Sequence, residues 1–249
     1  MKMPATAAVD VPESKRAFFS KTGVTVAVLG VSKSYRTAAE EVHALHDISW
    51  QVEAGQAVAI MGPSGCGKTT LLNLLGGVDR ASKGKILIDG NDLTQANERA
   101  LEKYRLLKVG FIFQLFNLIP SMTAFENLEL PMMVAGIPEA GCRDRVHALL
   151  EMVGLADKAQ KRPEELSGGQ QQRVAVALAL ANDPALILAD EPTGNLDTAN
   201  AEIIAKLLLS LAREYGKTVI MVSHDSKVVE FFPKVYAMRD GRFVDQLER

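Results

Sequence analysis

Cysteine is nearly absent from this 249-residue chain, which has only Cys66 and Cys142. Two cysteines exclude a disulfide framework and fit a reducing compartment. Long apolar runs are missing too: "VAVALALA" and "PALILA" have the lengths of buried elements, short of the ~18 to 20 residues that cross a bilayer. Any work at a membrane therefore needs another chain to do the spanning. Residues 1–23, "MKMPATAAVDVPESKRAFFSKTG", lack the continuous apolar stretch of a signal peptide and carry acids that transit peptides avoid, so they read as a mobile tail. An excess of one charge is also lacking. The net charge of -2 gives no global attraction for nucleic acid or anionic lipid, and no nucleic-acid partner is expected.

What is present is ordinary for a globular protein: 47% apolar and 23% charged residues, enough for one large domain over 24–249. "VTVAVLGVSKSY" and "HALHDISWQVEAGQAVAIMG" read as strands with a turn at Glu53-Ala54-Gly55, and Trp50 alternates into the core. "AVAIMG" is apolar throughout, as suits a central parallel strand covered on both faces. It ends in glycines and runs into "KTTLLNLLGG", a strand–loop–helix unit. From about 115 to 182 the pattern turns to helices and loops. There, Val146, Leu149, Leu150 and Val153 mark an amphipathic helix that stops at Gly154. "ALILAD" and "KTVIMVSHD" are buried strands. Between them lies a helix with Asp197 or Thr198 as cap, Ile203, Ile204, Leu207, Leu208 and Leu211 inward, and Gly216 closing it. Asp240-Gly241 turns a terminal hairpin. Strands alternating with helices, interrupted by a helical insertion, give an expected α/β fold class with a mostly parallel sheet and an inserted α-helical subdomain.

The chemistry starts at "GPSGCGKTT", Gly62 to Thr70, which satisfies G-x-x-x-x-G-K-[ST]. Gly62, Pro63, Ser64, Gly65, Cys66 and Gly67 form a loop whose backbone N–H groups approach phosphates. Lys68 neutralises the terminal phosphates, and the hydroxyl of Thr69, followed by Thr70, suits Mg²⁺. Asp190 and Glu191 end the strand "LILADE", where open α/β sheets bind ligands. Asp190 is expected to hold the Mg²⁺ hydration shell and Glu191 to polarise an attacking water. His224 ends another strand in the same topological position. Gln114, after "GFIF", either reaches Mg²⁺ and the water or caps a loop. Tyr35 offers an aromatic face for a base.

A second anion cradle, Ser167-Gly168-Gly169, heads its own helix in the helical insertion. Two such helix N-termini on different subdomains are not expected to meet on one nucleotide within one chain. Two chains arranged head to tail remove the difficulty, each glycine loop taking ATP while the opposing Ser167-Gly168-Gly169 closes over its γ-phosphate. Loss of the γ-phosphate contacts then favours opening.

Tyr35, "GPSGCGKT", Gln114, "LSGGQQQ", "LILADE", "GNLD" and His224, in this order, resemble the nucleotide-binding subunit of ATP-binding cassette (ABC) transporters over residues 24–249. The resemblance implies a P-loop core with an N-terminal antiparallel β subdomain and the head-to-tail dimer, adds Gln170 to the signature, and makes "TGNLD", ending at Asp197, a loop that crosses between subunits. It also implies an ATP hydrolase peripheral to the cytoplasmic face of the inner membrane. Its partners would be a transmembrane permease-type subunit and a second copy or a homologous ATPase. "GFIFQLFNLIPSMTAFENLELPM" and "ILADEPTGNLD" are similar to the subgroup that serves lipoprotein release and macrolide export. That subgroup commonly has an arginine where Leu178 stands here. An importer ATPase shares nearly every motif; a soluble DNA- or ribosome-acting ATPase of the superfamily is the rival from another class. The apolar "LFNLIPSMTAFENL" either packs within the insertion or receives a helix of the membrane partner.

Overall fold

The computed structural model describes residues 19–20, 22–36 and 40–248. β1 (Val26–Arg36) and β2 (Glu41–Val52) pair antiparallel, and β4 (Lys83–Ile88) joins β1's other side, followed by the short β5 (Asn91–Asp92). The order is β2-β1-β4-β5. Asp89-Gly90, both at positive φ, makes the tight turn between β4 and β5.

The second sheet carries the chemistry. β3 (Ala57–Met61), β6 (Val109–Ile112), β7 (Leu186–Asp190), β8 (Thr218–Ser223), β9 (Lys234–Arg239) and β10 (Arg242–Glu248) lie in the order β10-β9-β3-β8-β7-β6. All pairs are parallel except the hairpin β9–β10 on Asp240-Gly241. Alternate residues of the central strands enter two different cores. Ala57, Ala59, Ile187, Ala189, Val219 and Met221 face one, while Val58, Ile60, Leu186, Leu188, Ile220 and Val222 face the other. Both faces are thus covered, which is why these strands read as unbroken apolar runs.

The second core lies under the antiparallel sheet around α1 (Lys68–Leu75), where Leu71, Leu72, Leu74 and Leu75 are buried. α2 (Glu98–Lys108) buries only Leu101, in keeping with its charged sequence. The first core is shared by α3 (Ala124–Val134), α4 (Glu139–Met152), α5 (Gly168–Ala179) and α6 (Thr198–Tyr215). α7 (Ser226–Val229) follows β8. Val146, Leu149, Leu150 and Val153 are buried and Gly154 sits at φ +69°. Trp50 is buried against Tyr236 and Phe243, with ring centroids 5.3 and 5.4 Å away.

Two expectations change. In α6 the cap is Asp197, whose side chain accepts from Asn200 N–H, and Gly216 closes the helix in the left-handed region, but Ile203 is 38% exposed. Small Ala201, Ala205 and Ala212 share the buried arc with the leucines, which leaves Ile203 on its margin. The stretch read as a mobile tail is anchored at its described end. Phe19 is buried edge-on to Tyr215, and Ser20 donates its N–H to Asp183. That partner, Asp183, also pairs at 2.6 Å with Lys217, a fully buried lysine. Residues 1–18 and 21 lie outside the described residues.

Candidate functional site

Four parallel strands, β3, β6, β7 and β8, bring their carboxyl ends to one edge of the sheet, and the residues that follow them form the site. After β3, the loop enters α1 through Gly67 at φ +105°, where an added Cβ would lie 2.6 Å from Ala44 O. Glycine is required there by both conformation and space. Cys66 turns inward and is buried, so it offers the loop backbone and not a thiol. Lys68 is 5% exposed and folds back on its own loop, Nζ donating to Gly62 O at 2.8 Å and Pro63 O at 3.0 Å. An ammonium held by two carbonyls at a phosphate loop is poised to exchange them for anionic oxygens.

β8 lies between β3 and β7, so His224 flanks the acidic pair that ends β7. Glu191 Oε1 lies 3.5 Å from Lys68 Nζ. Its Oε2 accepts from His224 N–H at 3.1 Å and lies 2.9 Å from His224 Nδ1. Glu191 occupies the left-handed region, at φ +48°, with its N–H held by Val222 O. A non-glycine residue there stores strain of about 1 to 2 kcal/mol, which the clamp of Lys68, His224 and Val222 sustains. Asp190 Oδ1 accepts from the Thr69 hydroxyl at 3.1 Å. Burial pushes the Asp190 carboxyl above the usual range, aided by Glu191 beside it and opposed by Thr69 and Lys68.

Gln114 is exposed, and among the described residues its hydrogen bonds run to Asn195 and not to Thr69 or Asp190. Its Nε2 donates to Asn195 Oδ1 at 3.4 Å, and Asn195 Nδ2 donates to Gln114 O at 3.2 Å. Tyr35 is 38% exposed, its hydroxyl bonded to Asp79 at 2.8 Å. Ser167 caps α5 in a reciprocal box with Gln170. Among the described residues, Ser167 to Gln170 make no hydrogen bond to the loop Gly62–Thr70. They are tied to Asp197 instead: Asn200, which donates to Asp197, sits against Gly169. Asn195, Asn200 and Asp79 were not picked out from the sequence. Asn195 lies within "TGNLD", so the motif pointed to its loop; nothing local marks Asn200 or Asp79.

A parallel sheet with a glycine loop at its first helix and a carboxylate pair two strands away defines a P-loop nucleotide-binding protein. The family model described as ABC transporter matches residues 45–194. A lipoprotein-releasing system ATP-binding protein, LolD, from Treponema pallidum is 44% identical over 214 residues, covering 86% of this chain and 95% of its own length. A probable export ATP-binding/permease protein, MacB, from Pseudomonas entomophila is 44% identical over 216 residues; these cover 87% of this chain and 32% of that protein. Among solved structures, a dimeric ATP-binding cassette in a post-hydrolysis state bound to ADP and Pi superposes with a TM-score of 0.83 at 41% identity, covering 90% of this chain and 98% of that one. The chain belongs to the ABC transporter family, as an ATP-binding and ATP-hydrolysing subunit that works with a membrane partner.

Proposed function

We propose that two copies of this chain, or one copy and a homologous ATPase, clamp two MgATP at the cytoplasmic face of the inner membrane. Closure and opening drive a permease-type partner in the lipoprotein-release or export manner. The observation that carries the reading is the Lys68–Glu191–His224 cluster at the phosphate loop. Lys68 leaves its loop carbonyls for the terminal phosphates. Glu191 orients the attacking water and takes its proton, while His224 fixes the carboxylate by both its backbone N–H and its ring. Opposing Ser167, Gly168, Gly169 and Gln170 supply a capped helix N-terminus to the γ-phosphate, and Asp197 lies on the crossing loop.

The donor set at Thr69 and Asp190 fits Mg²⁺: a hydroxyl and a carboxylate side by side, with a buried charge that a cation would relieve. Bound there, Mg²⁺ would neutralise phosphate charge as it builds. Gln114 is the proposed sensor of that metal and of the water. Leu115, 72% exposed, and Ile119 beyond it offer apolar surface to a helix of the membrane partner.

Glu191→Gln tests the core of the reading. One proton transfer or developing charge is worth about 2 to 4 kcal/mol, so steady-state ATPase activity should fall by roughly 10² or more. Wild-type turnover in that variant would remove Glu191 from the mechanism.

A further inference from the structure

α1 carries the phosphate loop's Lys68 at its first turn, and the chain leaving its other end reaches Tyr35 through Asp79. The helix terminates with Gly77 at φ +65°; Gly77 N–H bonds to Leu74 O and Val78 N–H to Asn73 O, at 3.2 and 2.9 Å. This pattern of paired bonds around a left-handed glycine fixes the exit direction of the chain. Two residues later Asp79 is delivered to β1. Its Oδ2 accepts from the Tyr35 hydroxyl at 2.8 Å, and its Oδ1 from Lys33 Nζ at 2.7 Å and from Arg80 N–H at 2.6 Å. Lys33 Nζ also donates to Arg80 O at 2.9 Å and lies 4.6 Å from the centroid of the Tyr35 ring.

The ring is therefore fixed twice, by its hydroxyl and over one face, while more than a third of the residue stays open to solvent. A cation over an aromatic face draws on the ring's quadrupole and holds the ring against it. The carboxylate that anchors the hydroxyl anchors the cation as well. We infer that Asp79 is a positioning residue for the base of the bound nucleotide: through Tyr35 and Lys33 it sets the platform on which the base stacks, at a fixed offset from the phosphate loop. The inference rests on the proposed role of Tyr35. Charge supports the geometry. Partial burial raises the Asp79 carboxyl, but bonds from Lys33, Tyr35 and Arg80 outweigh it and hold it below the usual range. Burial and the bond to Asp79 hold the Tyr35 phenol above its own range against an opposing bond with Thr70, so neutral Tyr35 keeps its proton for Asp79.

The consequence is selective. Losing the platform weakens recognition of the base and leaves recognition of the triphosphate intact. Calorimetric titrations with MgATP and with magnesium tripolyphosphate, which has no base, separate the two in the full chain. Tyr35→Ala should lower the ratio of ATP to tripolyphosphate affinity by about tenfold, as removal of a stacking ring does elsewhere. Tyr35→Phe removes the hydroxyl bond and should lower the ratio by about threefold; Asp79→Ala removes that bond and the anchor of Lys33, and should lower it by at least as much. The double variant should lower it no further than Asp79→Ala alone. Asp79→Asn, which keeps an acceptor for the hydroxyl, should recover part of the loss.

If Tyr35→Ala leaves the ratio unchanged, Tyr35 is not the base platform and the inference falls with it. If Tyr35→Ala lowers the ratio but Tyr35→Phe and Asp79→Ala do not, the platform stands and the role of Asp79 is overturned. Equal losses for both ligands in Asp79→Ala would mean that Asp79 only supports the loop after α1, which also overturns the inference.

Discussion

Lys217 offers the sharpest test of the energetics. Its side chain is 1% exposed and its ammonium lies 2.6 Å from Asp183, itself 17% exposed. Asp183→Asn keeps the size of the side chain and its tolerance of the left-handed conformation at φ +52°, and removes the charge together with one of two acceptor oxygens, Oδ1 serving Lys217 and Oδ2 serving Ser20. Breaking a buried pair from one side costs about 3 to 5 kcal/mol, because the other charge stays buried. An amide oxygen still accepts from Lys217, so the lower end, about 3 kcal/mol, is expected. For a chain of this length that is a drop of about 6 to 12 °C in thermal midpoint. Burial already pushes the Lys217 ammonium below its ordinary value, and Arg145 and Lys108 add to this against the pull of Asp183.

The variant should push Lys217 further down, and this fixes the sign with pH. Between the folded value and the ordinary one, the unfolded chain holds a proton that the native chain lacks, so raising pH favours the native state. The deficit of Asp183→Asn against the parent should therefore shrink from neutral toward alkaline pH in calorimetric scans. A drop below about 3 °C at neutral pH, or a deficit that widens with alkalinity, would refute the account. Asp183→Asn with Lys217→Met should recover most of the loss, since no charge is then left buried.

Other outcomes follow from the site. Asn195→Ala removes both bonds that hold Gln114 and should lower ATPase turnover about tenfold, with little change in thermal midpoint; undiminished turnover would separate Asn195 from the chemistry. Gly67→Ala places a Cβ 2.6 Å from Ala44 O and 2.9 Å from Leu45 Cδ2 at φ +105°, so it should lower stability by about 2 kcal/mol or more and abolish ATP binding in a fluorescence titration. Light scattering of Glu191→Gln should show monomer becoming dimer on addition of MgATP, and a constant mass would count against the clamp.

Much of this fold was legible in sequence because its signals are local. β3, β7 and β8 are buried on both faces, and an unbroken apolar run ending in glycine, acid or histidine states that directly. Asp240-Gly241 and Asp197 likewise announce a hairpin and a cap by the side chain and φ each needs. That Lys68, Glu191 and His224 would gather was legible for the same reason, since they follow strands of one sheet. What was missed depends on residues far apart in the chain. Ser20 meets Asp183, and Lys217 is buried by an acid 34 positions away. Ile203 failed differently: helical periodicity places it on the apolar face, but its exposure is set by the width of the neighbouring layer. Asp79 follows a helix end whose exit direction depends on Gly77, and no pattern in β1 announces where that exit leads.

The split of each central strand between two cores has a mechanical consequence. One face of the wall holds the phosphate loop and Tyr35, the proposed base platform; the other carries the helices expected to meet the opposing subunit and the membrane partner. Force arriving through those helices loads only half the side chains of each strand, while the other half keeps the wall seated on α1. The strand ends that bear Asp190, Glu191 and His224 can then stay in register as the helical side tilts. Stiffening substitutions placed on the α1 side should therefore raise stability without slowing the machine, whereas the same chemistry on the helical side should act as a brake.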